Sequence, residues 1–288
     1  MRVLAGQLYT VLKLRIGMAI AVCALAGLAV TPGDTPTAWQ IAVLGLAVLL
    51  SSASAGAFNH YVERDLDAKM ARTRNRPFVT GRFRPGPPWL WAIGAMLVVA
   101  VTGAALVLNI PAALHTFLGA FVYGVVYTVL LKRRTAWNIV LGGLAGSFAV
   151  LAGASAVNPA LAPEPIWLAV VLFLWTPPHF WSLAIALHDD YKAAGVPMLP
   201  VVVGDIKAAW IVLAHTIAVV AASIVPVFYG LGWIYLAAAL AGGVWFIIRS
   251  VQLVRNPCRE TAMSNFFASL IQLGLLLAAA IADPWILA

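Results

Sequence analysis

The sequence predicts an all-α polytopic membrane protein, with nine transmembrane helices around a central cavity. Three observations carry that prediction. The 288 residues are 63% hydrophobic and only 10% charged, with a mean hydropathy of +0.96, whereas a soluble domain carries roughly 25% charged residues. Apolar runs near the ~20 residues that cross a bilayer as a helix recur along the whole chain. They are continuous rather than alternating, which excludes a closed β-barrel. Finally, every Lys and Arg falls on one side of these runs when they are threaded alternately through a bilayer.

Charges and Gly/Pro clusters divide the runs into 14–30, 39–62, 89–109, 113–131, 137–157, 166–188, 208–228, 232–249 and 262–282. The first is flanked by Lys13 and Arg15. Its Ala24-Leu25-Ala26 resembles a signal cleavage site, but the run continues through Val30 and is long enough to span, so it is expected to be kept. The second ends at the charged stretch from Glu63. The third opens after Pro85-Gly86-Pro87-Pro88, and Pro111 divides it from the fourth, which ends at Lys132-Arg133-Arg134. The fifth stops before Asn158-Pro159, and the sixth reaches His188-Asp189-Asp190. Lys207 precedes the seventh, Gly230-Leu231-Gly232 parts it from the eighth, and Arg249 closes the eighth. The ninth lies between Glu260 and Asp283.

With the N-terminus inside, the inner segments 1–15, 63–88, 132–136, 188–207 and 249–261 hold all 18 basic residues. The positive-inside rule therefore places the N-terminus in the cytoplasm and the C-terminus outside. The outer acids are Asp34, Glu164 and Asp283. Five of the remaining seven form two clusters, Glu63/Asp65/Asp67 after the second span and Asp189/Asp190 after the sixth. That four-span offset suggests one domain over 1–288 built from two four-helix units, about 14–131 and 137–249, plus a ninth helix, with the clusters facing each other. Cys23 and Cys258 have no disulfide or metal spacing. The net charge of +8 would suit nucleic acid in a soluble chain, but these spans leave no free basic domain, so no nucleic-acid partner is expected.

Residues 59–77 read NHYVERDLDAKMARTRNRP. Asn59, Glu63 and Asp67 recur every fourth residue and stack on one face of a continuing helix. Asp65 points away and can pair with Lys69. Stacked carboxylates repel, and a Mg²⁺ ion, which takes oxygen ligands and bridges carboxylates to phosphates, would offset the repulsion. Lys69, Arg72, Arg74 and Arg76 follow, and Arg can fork two phosphate oxygens. Lys132, Arg133 and Arg134 close another inner loop near Tyr127. Metal-binding acids and phosphate-binding bases on one face point to a diphosphate at the membrane surface. The plainer reading is a helix end with positive-inside bases, and it suits Arg64 and Asp65 better.

Within FLWTPPHFWSLAIALHDDYKAAGVPMLPVVV at 173–203, Pro177 and Pro178 are expected to kink or open the sixth span. His179 beside them can hydrogen-bond a neighbouring helix or ligate iron through a neutral imidazole. A cation transporter would also place acids near a kinked span, but nearer the bilayer middle than these.

The stretches WTPPHFW…DDYKAAGVPMLPVV, NHYVERDLDAKMARTRNRP and YTVLLKRRTAWNIVLGGLAGSF at 127–148 together resemble the protohaem IX farnesyltransferase (haem O synthase) family, in the UbiA superfamily of intramembrane prenyltransferases. The resemblance implies transfer of farnesyl from farnesyl diphosphate to the 2-vinyl group of haem b, for terminal oxidases, in the cytoplasmic membrane with the active site on its cytoplasmic side. Other members prenylate quinone precursors or chlorophyllide, and such an acceptor is the alternative. The family motif falls on Asn59, Glu63 and Asp67, with Glu63 where Asp is common, and its second acidic motif on Asp189 and Asp190. These five are the expected Mg²⁺ ligands and catalytic residues; the earlier Asp of the second motif is missing, with Ile185 and Ala186 standing there. Lys69, Arg72, Arg76, Tyr127, Lys132, Asn138 and Lys192 are the expected diphosphate contacts, and His179 and Trp181 the haem contacts. The resemblance leaves a haem A synthase or oxidase-assembly factor as the candidate protein partner, with the lipid bilayer as the surroundings.

Overall fold

The structure is a computed structural model describing residues 2–286. In chain order the elements are α1 (Arg2–Val11), α2 (Leu14–Ala29), α3 (Ala38–Val62), α4 (Arg64–Asp67), α5 (Pro87–Val107), α6 (Ile110–Phe121), a π-helical segment (Val122–Leu131), α7 (Asn138–Gly142), α8 (Leu144–Val157), α9 (Pro163–Ala186), α10 (His188–Ala193), α11 (Leu199–Val203), α12 (Asp205–Ile224), a 3₁₀ turn (Val225–Tyr229), α13 (Trp233–Arg255) and α14 (Arg259–Ile286). No strand occurs among the described residues.

Eight of the nine predicted runs become helices, or contiguous helical pairs, long and apolar enough to span alone. The first is different. α2 has only 16 residues, and a nine-span chain results when it is taken with Val3–Val11, to which it is joined at a 50° bend. Lys13 makes the bend by adopting a left-handed conformation, φ 48°. The sixth span also departs from expectation. α9 runs unbroken through Pro177 and Pro178, and the Ser182 hydroxyl back-bonds to the Pro178 carbonyl one turn earlier.

Two apolar cores hold the helices. One lies within the bundle, where Leu44, Val150, Leu168, Leu172, Phe246 and Leu276 meet from α3, α8, α9, α13 and α14. Lipid is as apolar as these side chains, so close packing rather than water exclusion favours this core. Small residues allow it: a Cβ on Gly27 of α2 would run into the Val150 carbonyl of α8, and one on Gly153 into that of Ala24. The second core gathers Leu66, Met70, Ile139, Trp181, Tyr191 and Met198. These belong to the connections after α3 and α9 as much as to the spans, so burial from water ties the charged loops onto the helix ends.

Side chains cap several helices. Thr37 and Gln40 form a reciprocal box at the start of α3, Asn109 caps α6, and Asp283 accepts from the backbone N–H groups of Gly232 and Tyr235 at the start of α13.

Candidate active site

The acidic comb is continuous. Backbone bonds from Glu63 N–H to Asn59 and from Asp67 N–H to Glu63 carry helical spacing past the end of α3, so the three side chains share a face. All three are buried, at 2%, 0% and 1% exposure, while Arg64 and Asp65 between them are exposed. Asp65 does not pair with Lys69 as expected. It accepts two bonds from Arg133, at 2.7 and 2.8 Å, because the loop after the π segment folds back over α4. The Arg133 guanidinium holds the Asp65 carboxyl at a pKa of about 2.

Each comb residue has a cationic partner from a separate segment. Lys13 donates to Asn59 Oδ1 at 2.6 Å and to the Tyr123 hydroxyl at 2.7 Å. Asn59 Nδ2 in turn donates to Thr128 Oγ1. Lys132 donates to Glu63 Oε2, and burial holds the lysine below its ordinary pKa against the opposing pull of Glu63. Arg76 binds Asp67 Oδ2 at 2.7 Å.

The π segment makes one of these pairings possible. Tyr123 and Lys132 are nine residues apart, which on an α-helix is two and a half turns and puts them on opposite faces. With i→i+5 bonding a turn takes roughly 4.4 residues, so nine residues are close to two turns. Tyr123 and Lys132 thus both face the comb. Tyr127 stacks on Tyr123 with ring centroids 5.6 Å apart, and its ring lies 5.7 Å from the Lys132 ammonium.

The second acidic cluster reaches the first through the intervening loop. Asp190 Oδ1 accepts from Ala71 N–H at 3.4 Å, and Arg72 donates to the Tyr191 hydroxyl at 3.2 Å. Asp189 and Lys192 are exposed. Among the described residues no group of three or more carboxylate, imidazole or thiol side chains converges on one point. The comb nevertheless fits a hard divalent cation. It offers buried amide and carboxylate oxygens on one face, and Glu63 Oε1 has no hydrogen-bond partner.

A profile of the UbiA prenyltransferase family matches residues 20–271. The chain belongs to this family. It is 61% identical over 277 residues to "Protoheme IX farnesyltransferase 2" of Paramagnetospirillum magneticum, covering 96% of each chain. Among solved structures, it shares the fold of digeranylgeranylglyceryl phosphate synthase at TM-score 0.80 and 16% identity, covering 97% of this chain and 98% of that one. A UbiA homologue from Archaeoglobus fulgidus bound to DMAPP and Mg²⁺ aligns at TM-score 0.72 and 14% identity, over 94% and 99% of the two chains.

In this UbiA prenyltransferase the residues expected around a diphosphate separate into two sets. Asn59, Glu63, Asp67, Arg76, Tyr127 and Lys132 are drawn together by the contacts above. Asn138 is buried on α7, its Nδ2 donating to the Thr135 carbonyl and its Oδ1 unpartnered, whereas Lys69, Arg72, Asp189 and Lys192 lie exposed at the rim. The expected haem residues diverge, being two apart on α9. His179 faces α14, where its Nδ1 pairs with the Ser269 hydroxyl at 2.7 Å and its ring lies between Trp175 and Phe266. Trp181 turns to α12, edge-on to His215. Sequence reasoning missed Lys13, Tyr123 and Thr128. Lys13 was absorbed by the positive-inside rule, and the other two depend on a π register that hydropathy does not report.

Proposed function

We propose that the chain transfers the farnesyl group of farnesyl diphosphate to the 2-vinyl group of haem b, forming haem O. The observation that carries this reading is 61% identity, over nearly the full length of both chains, to a protein named as a protohaem IX farnesyltransferase.

Asn59, Glu63 and Asp67 would hold Mg²⁺, with Asp189 and Asp190 approaching from the α9–α10 side. The ion supplies Lewis-acid stabilisation of the leaving diphosphate. Lys132 and Arg76 donate N–H groups to diphosphate oxygens, with Lys69, Arg72, Lys192, Tyr127 and Asn138 around them. As the allylic C–O bond breaks, its electron pair stays on diphosphate. The terminal vinyl carbon bonds to the farnesyl C1, water adds at the carbon next to the porphyrin, and one proton is released. His179 is the proposed haem contact. Ser269 fixes its Nδ1 and two aromatic rings fix its plane, which leaves Nε2 to face a ligand. The clustering of bases on one side of the bundle supports an active site at the cytoplasmic face of the inner membrane as part of this reading.

Purified protein supplied with haem b, farnesyl diphosphate and Mg²⁺ should form haem O, and Asp67→Ala should not. Folded parent that makes no haem O yet releases diphosphate with another aromatic acceptor would overturn the proposal.

A further inference from the structure

The comb carries two carboxylates, and three cationic side chains already sit on its oxygens. Lys13 arrives from the α1–α2 bend, Arg76 from the loop after α4 and Lys132 from the end of the π segment. Lys13 in particular is built into place. A non-glycine residue in the left-handed region is uncommon and persists where surrounding structure over-determines it. Gly56 of α3 makes room for its stem, since a Cβ there would come within 3.2 to 3.3 Å of Lys13 Cβ, Cγ and Cδ. Its ammonium is then shared between Asn59 and Tyr123.

This arrangement has a consequence for metal entry. A bare divalent cation approaching the comb meets no uncompensated carboxylate. Even at the unpartnered Glu63 Oε1 it would stand beside the charges of Lys132, Lys13 and Arg76, and to reach the paired oxygens it would have to displace their N–H donors. A diphosphate brings acceptor oxygens for those donors together with negative charge to offset the ion. Resting on the diphosphate-binding reading above, we propose that Lys13, Lys132 and Arg76 keep the comb closed to a free divalent cation and yield it only to that cation's complex with diphosphate. Lys13 is a positioning residue in this device, acting through Asn59.

Equilibrium dialysis of the full chain in detergent, with Mn²⁺ and with or without inorganic diphosphate, tests the idea by counting metal retained with the protein. Retention should be weak without diphosphate and roughly 5- to 150-fold tighter with it, the usual span of coupling between two ligands. Lys13→Met should raise retention of Mn²⁺ alone and shrink the diphosphate effect, and Lys13→Arg should restore it. Tight retention that ignores diphosphate would overturn the inference while leaving the diphosphate site standing. No retention under either condition would overturn that site and the inference with it. The parent alone decides between these outcomes, so a poorly folded variant does not remove the test. A folded Lys13→Met that behaves as the parent would overturn the role given to Lys13.

Discussion

Replacing Lys132 with methionine should destabilise the protein far more than the worth of the ion pair it removes. Glu63 is 0% exposed and Lys132 8%. At an effective dielectric of ~20 their attraction is about 4 kcal/mol or somewhat more. Withdrawing each ion from water costs several kcal/mol, so the intact pair adds little net stability. The single substitution is another matter. Glu63 Oε1 already lacks a partner, and Lys132→Met strips Oε2 as well, leaving an uncompensated buried carboxylate at about 3–5 kcal/mol. With about 2–4 °C per kcal/mol for chains of 150–250 residues, the melting midpoint should fall by about 6–20 °C. Adding Glu63→Gln should recover most of the loss, because the buried charge is gone. Thermal unfolding in detergent, followed by gel filtration across the full double-mutant cycle, measures both effects. A Lys132→Met protein that melts within about 2 °C of the parent would refute the reasoning, since Glu63 would then have other stabilisation.

Gly153→Ala should lower the melting midpoint by several degrees, as its Cβ meets the Ala24 carbonyl and overpacking typically costs about 1–3 kcal/mol; thermal unfolding checks it. The Asp65–Arg133 pair is largely exposed, with 60% and 41% of the side chains accessible, so Asp65→Asn should change stability at pH 7 by less than about 1 kcal/mol. Because the Asp65 pKa is depressed from 3.8 to about 2, its contribution is full above pH 4 and fades as pH falls toward 2. The variant's acid unfolding profile should lack that small component. His179→Ala should alter the absorption spectrum of added haem b if Nε2 contacts the iron, and an unchanged spectrum would remove His179 as a ligand.

Much of the architecture is legible in the sequence because a bilayer makes it local. A backbone in lipid must satisfy its own hydrogen bonds, so span length and helical state follow from runs of apolar residues. Ala38–Val62 and Asn138–Val157, for example, begin and end within a residue of the expected bounds. The spacing of Asn59, Glu63 and Asp67 was equally local, and i, i+4 periodicity sufficed to put them on one face. The bend at Lys13 escaped because a left-handed lysine carries no sequence signature of the kind glycine does.

Tertiary structure alone decided which cation meets which oxygen. Lys13 lies 46 residues from Asn59 and Lys132 lies 69 from Glu63, and those pairings depend on how each helix is rotated about its axis and how closely small residues let helices approach. The π register that turns Lys132 toward Tyr123, the divergence of His179 and Trp181 and the choice of Arg133 over Lys69 for Asp65 all follow from the same cause. Hydropathy fixes that a segment crosses the bilayer, whereas the face it turns inward is set by its neighbours.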